Sequence, residues 1–166
     1  PDAVLYIGLK TGVTRSDFEA AVADGSVAEL LVPVPAVPGE CHYIPGGLCH
    51  ALGAGIVVAE VQTPSDTTYR VFDWNRGDRE LHLDDALACM HFGEMDTGPY
   101  EPGTVHEEPG IRRRDLVDCE HFRFCEWELG DASSHTFRFD RATTLMVVRG
   151  RGSLGWGSEN RSLRIG

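Results

Sequence analysis

The run Gly39-Glu40-Cys41-His42-Tyr43-Ile44-Pro45-Gly46-Gly47-Leu48-Cys49-His50-Ala51-Leu52 decides how the rest of the chain is read. Cys41 to Ile44 reads as a short strand, Pro45-Gly46-Gly47 as a tight turn, and His50 as a histidine delivered just past it. Glu60 follows His50 by ten residues, and Arg70 follows Glu60 by ten. Side chains alternate faces along a strand. These even spacings therefore predict all three on one side of a sheet, provided the intervening turns keep the phase. A neutral imidazole, a carboxylate and a fixed cation facing one cavity suit metal-assisted proton transfer on a polar, anionic substrate.

Upstream of this run, residues 3–9 read as a strand. Thr14 with Asp17 makes a capping-box start for a helix through Val22, and Gly25 fits its stop. Ser26 to Leu31 reads as a second short helical turn. Prolines 33, 35 and 38 confine the next segment to a sheet edge. Downstream, Gly55–Gln62 is a β-branched run and Thr67–Phe72 another strand, so 30–72 is expected to be a compact all-β unit. Leu83 to Phe92 is helical in pattern. Gly93 to Gly110 carries Gly, Pro and acidic residues without periodicity and reads as a linker, ending in a solvated Arg112-Arg113-Arg114 run. Strands are expected again at 119–128, 136–139, 143–149 and 152–156, a meander or sandwich pattern. The plan is thus a β unit over 1–92, a linker over 93–115 and a second β unit over 116–166. The chain opens in a strand-like run and closes on another, so it reads as a central piece of a longer protein.

The 166 residues suffice for one domain or slightly more, and 42% hydrophobic content is enough for a core. A net charge of −11 argues against nucleic-acid binding but not against a small anionic substrate met by local arginines. No apolar run reaches membrane-spanning length, and no signal-peptide pattern opens the chain. Five cysteines at irregular spacing point to a reducing cytoplasm rather than a disulfide scaffold.

Among the chemistry-bearing residues, His50 is either a metal ligand, with its second ring nitrogen oriented by an acceptor, or a histidine bonded into its own turn. Glu60 lies in an apolar run, where a carboxylate is paired with a cation, used as a base, or set at an edge. Arg70 is its natural partner and an anion contact; Arg76 is a second anion contact or a surface residue. A structural zinc site from Cys41, His42, Cys49 and His50 is a third reading. Adjacent strand residues point to opposite faces, which works against it.

Gly39, Pro45, Gly47 and His50 match the Gly-x5-Pro-x-Gly-x2-His motif of the cupin superfamily. The wider pattern is Tyr43-Ile44-Pro45, His50-Ala51-Leu52-Gly53, Val58-Ala59-Glu60-Val61-Gln62 and Thr67-Thr68-Tyr69-Arg70-Val71-Phe72-Asp73-Trp74-Asn75-Arg76. It resembles the bacterial type I mannose-6-phosphate isomerase family. The resemblance covers 1–92 well and 116–166 weakly. It implies a cupin-like (RmlC-like jelly roll) β-barrel or sandwich with short flanking helices. On that reading 1–92 is the C-terminal half of one barrel and 116–166 the N-terminal half of a second. The two halves would close on each other or swap between two copies, as in a homodimer. The resemblance further implies an isomerase of mannose 6-phosphate and fructose 6-phosphate with one divalent metal, usually zinc. His50 would be a metal ligand, Arg70 would stabilise enediolate charge, and Glu60 would be an acidic group and base. Arg70 and Arg76 would meet the phosphosugar. The family's other ligands, a Gln-x-His element and a Glu, lie upstream of this segment. Gln62 is the only glutamine here, so the site is expected to be incomplete and the piece inactive alone. The alternative is a non-catalytic cupin-like sugar-binding or regulatory module.

Overall fold

The computed structural model describes residues 3–65, 67–74, 77, 79–101 and 103–164. The chain divides into two compact units, Pro1–Glu128 and Leu129–Gly166. The first holds β1 (Val4–Leu9), α1 (Arg15–Asp24), α2 (Val27–Leu30), β2 (Leu31–Pro35), β3 (His50–Leu52), α3 (Leu83–Cys89), β4 (Val105–Glu108) and β5 (Ile111–Asp118). All but the last residue of β6 (Arg123–Leu129) also belongs to it. The second unit holds the antiparallel hairpin of β7 (Arg151–Trp156) and β8 (Glu159–Arg164).

β1 is the centre of a three-stranded sheet in the order β2-β1-β3, antiparallel on both sides. The prolines of β2 sit at its edge, where missing N–H donors cost no ladder bonds. Leu5 and Ile7 point to one face and join Leu48 in one hydrophobic cluster. Tyr6 points to the other face, where Leu9, Phe18, Ala21, Val27, Leu31 and Leu87 form the main core. α1 presents Phe18 and Ala21 to that core. Its start is the expected capping box: the Thr14 side chain accepts from Asp17 N–H, and Asp17 reaches back to the Thr14 N–H at 2.9 Å. Gly25, at φ 84°, ends it in the left-handed conformation.

Five expected strands are absent among the described residues: 41–44, 55–62, 67–72, 136–139 and 143–149 lie outside regular secondary structure. β-propensity reflects packing against neighbouring strands more than a backbone preference, and these runs have no such neighbours here. Conversely, β4 and the start of β5 lie within the expected linker, joined in register from Val105↔Arg114 to Glu108↔Ile111 across a turn at Pro109-Gly110. β4 is exposed at all four positions, so it has no hydrophobic alternation to read. Arg112–Arg114 are strand residues with acidic partners rather than a solvated run: Arg112 pairs with Glu107 at 3.1 Å and Arg114 with Glu126 at 2.8 Å. Within the first unit, no sheet among the described residues joins strands of 30–72 to strands of 116–128. No helix among them is long and apolar enough to cross a membrane.

Candidate functional site

The turn before His50 is shaped by a steric requirement at Gly47. Its φ is 84°, and a Cβ there would stand 2.5 Å from the Cys89 carbonyl oxygen and 2.7 Å from the His91 ring. Only glycine fits both the backbone angle and the space. Leu48 N–H donates to the Pro45 carbonyl at 3.2 Å and closes the turn. His91 N–H donates to the Gly47 carbonyl at 3.0 Å and straps the turn to the chain after α3. Gly8 N–H donates to the Cys49 carbonyl at 2.8 Å, which seats the segment on β1.

His50 then opens β3 opposite Ile7. Its Nδ1 lies 2.9 Å from the Leu48 carbonyl oxygen. A carbonyl only accepts, so Nδ1 carries the proton and Nε2 of the neutral ring keeps its lone pair. The residue is exposed. A ring held through one nitrogen by a backbone carbonyl is the usual orientation of a metal-ligating histidine.

The predicted companions are placed differently. Glu60 is exposed and outside any strand. Arg70 is half-buried and also outside any strand, and its carbonyl accepts from His82 N–H at 2.8 Å at the start of α3. Val71 and Phe72 pack with Tyr6 on the main core. Paired cross-strand residues share a face, so His50 lies on the side of Ile7, opposite Tyr6. The expected single sheet carrying His50, Glu60 and Arg70 at even spacing is therefore not formed: the phase is lost once the chain leaves β3. Arg76 lies outside the described residues.

The four-residue zinc reading is corrected as well. Cys49 packs against the main core, away from the His50 face, and burial pushes its thiol up to about 11. His42 is nearly buried, with Nε2 3.6 Å from Glu40 and no hydrogen-bond partner on either ring nitrogen. Among the described residues, no group of three or more His, Cys, Asp or Glu side chains could hold a metal.

Arg114 went unrecognised in the sequence. It donates to the Gly39 carbonyl at 2.6 Å and to Glu126 at 2.8 Å, tying the start of the deciding run to β5 and β6. Beside it, Glu40, Cys41, Tyr100 and Leu116 line a shallow hollow. The Cys41 thiol there is raised by burial, against the opposing charge of Arg114.

This architecture is a cupin-like β fold with short flanking helices. No family model matches the chain. It is 34% identical over 140 residues to mannose-6-phosphate isomerase ManA of Bacillus subtilis, covering 80% of this chain and 43% of that protein. It is 28% identical over 161 residues to the mannose-6-phosphate isomerase of Streptococcus mutans, covering 92% and 49%. The crystal structure of the Bacillus subtilis mannose 6-phosphate isomerase superposes with a TM-score of 0.79 at 27% identity, over 99% of this chain and 53% of that one. The chain is thus a relative, in sequence and in fold, of the mannose-6-phosphate isomerases, and it spans about half the length of the relatives it matches.

Proposed function

We propose that this chain contributes part of an aldose–ketose isomerase that interconverts mannose 6-phosphate and fructose 6-phosphate in the cytoplasm. The relation to the named isomerases supports the reaction. The observation that carries the site is the anchored His50 ring with its Nε2 lone pair left for a ligand. Five free cysteines fit a reducing compartment, and the net charge of −11 fits a protein that does not bind nucleic acid.

Zinc fits His50 in donor type and orientation but not in donor number. Zinc takes four ligands, and the described residues bring one to this point. When bound, such a cation supplies Lewis-acid polarisation of a carbonyl. This chain's own groups would do the rest. Glu60 would carry the proton between C1 and C2. Arg70 would stabilise enediolate charge with its guanidinium fork, and Arg70 with Arg76 would meet the phosphosugar. With one donor on this segment, residues 1–166 alone are expected not to turn over.

The exposed, irregular setting of Glu60 favours the second reading, a non-catalytic cupin-like sugar-binding or regulatory module. Exchange of the C2 proton of mannose 6-phosphate in D2O, followed by NMR with zinc present, separates the two. The isomerase reading predicts exchange and fructose 6-phosphate formation by the longer protein, reduced at least about 100-fold by Arg70→Ala. Sugar binding without exchange would establish the module instead.

A further inference from the structure

Between β2, which ends at Pro35, and β3, which starts at His50, no strand forms. No ladder fixes the course of this stretch, so its course depends on discrete contacts. From Gly39 onward, four hydrogen bonds from distant residues hold it among the described residues. The Gly39 carbonyl accepts from Arg114 Nη2 at 2.6 Å, and the Cys41 carbonyl from Tyr100 N–H at 2.7 Å. The Gly47 carbonyl accepts from His91 N–H at 3.0 Å, and the Cys49 carbonyl from Gly8 N–H at 2.8 Å. Three of these donors are backbone groups. Arg114 alone is a side chain.

Arg114 acts at the freest joint of the stretch. Gly39 is left-handed, at φ 92°, and a glycine backbone has no side chain to restrict it. The direction taken there is carried through Glu40–Ile44 into the Pro45–Gly47 turn. Leu48, next to the anchored Gly47, supplies the carbonyl that holds His50 Nδ1 at 2.9 Å. Arg114 pins the joint from a firm base. It lies on β5, the central strand of the sheet β4-β5-β6. Its side chain is only 21% exposed and is braced by Glu126 of β6 at 2.8 Å. Bonds from a charged donor are about twice as strong as neutral ones. The same charge reaches Cys41, where it opposes the rise that burial imposes on the thiol.

We infer that Arg114 is a positioning residue for His50. By fixing Gly39 it sets how the chain enters the Pro45–Gly47 turn, and so where the Leu48 carbonyl aims the His50 ring. The inference rests on the reading of His50 as a metal donor. It gives the segment expected to be a linker, in which Arg114 lies, the task of supporting the donor turn. A misplacement of about 1 Å at a reacting group can cost about 100-fold in rate, so a support remote from the ring bears on the chemistry.

The test is backbone amide hydrogen exchange by NMR on the full 166-residue chain, with zinc binding read at the His50 Nε2 resonance. The Leu48 and His91 amides report the turn, through their bonds to the Pro45 and Gly47 carbonyls. The Phe18 amide, bonded to the Thr14 carbonyl at the start of α1, reports stability elsewhere in the unit. Arg114→Ala should speed exchange at Leu48 and His91 at least about tenfold and leave Phe18 within about twofold. It should also weaken zinc binding at His50 at least about threefold. Arg114→Lys, which keeps a cation for the Gly39 carbonyl, should recover most of both. Arg123→Ala, which breaks the exposed 2.8 Å pair with Asp118 across β5 and β6, should change neither. Should Arg114→Ala fail to fold, Glu126→Gln is the milder perturbation and should give the same pattern at about threefold. Turn amides at wild-type rates in the Arg114 or Glu126 variant would overturn the inference. So would turn and Phe18 amides that speed up together, or an equal effect from Arg123→Ala. A wild-type His50 indifferent to zinc would overturn the donor reading itself, whereas zinc binding with unchanged turn amides would overturn the inference alone.

Discussion

Gly47→Ala isolates the steric argument for the turn that delivers His50. The alanine Cβ would stand 2.5 Å from the Cys89 carbonyl oxygen and against the His91 ring. A left-handed φ costs a non-glycine residue about 1–2 kcal/mol. The clash is with backbone, so relief requires the turn to move away from the residues after α3. That movement strains the bond from His91 N–H to the Gly47 carbonyl, adding about 1 kcal/mol. The expected loss is roughly 2–4 kcal/mol. Gly46→Ala is the internal control: its backbone is not left-handed and a Cβ there meets nothing within 4 Å, so its effect should stay within about 0.5 kcal/mol. Urea unfolding followed by tryptophan fluorescence gives both values. Equal midpoints for the two variants would refute the steric account.

The N-cap of α1 gives a second prediction: Thr14→Ala should lower stability by about 1 kcal/mol in thermal melts. The same residue holds the Asp17 carboxyl below its ordinary range through its hydroxyl and N–H. That contribution is present above the ordinary carboxylate pKa and lost as pH falls through the lowered native value. Thr14→Ala should therefore also flatten the acid limb of the stability profile. Burial raises the Cys49 thiol from its ordinary value near 9 to about 11. The unfolded chain ionises first, so stability should fall as pH rises from about 9 to about 11, by about 2–3 kcal/mol. Urea midpoints across that range should show this component in the wild type and not in Cys49→Val.

The parts of the fold that were legible carry their signal locally. Thr14, Asp17 and Gly25 specify α1 through caps that need no distant partner, and the prolines of β2 announce an edge. The Pro45-Gly46-Gly47 turn and the delivery of His50 past it were equally readable. The runs around Val57 and Met146 were misread for the opposite reason. Their β-branched composition reports a capacity to pair, and among the described residues no strand pairs with them. β4 was hidden because all four of its residues face solvent. Arg114 could not be separated from its neighbours in sequence, because its role depends on Gly39 and Glu126, which the fold alone brings near. Even spacing of His50, Glu60 and Arg70 failed as a guide because period-two reasoning holds only while the chain remains extended.

The central claim is that His50 is held through Nδ1 so that Nε2 is available as a donor, and side-chain 15N NMR of the histidines tests it most directly. The account predicts that His50, assigned by its loss in His50→Ala, is the Nδ1–H tautomer at neutral pH and that added zinc perturbs its Nε2 resonance. An Nε2–H tautomer, or an Nε2 resonance indifferent to zinc, would contradict it.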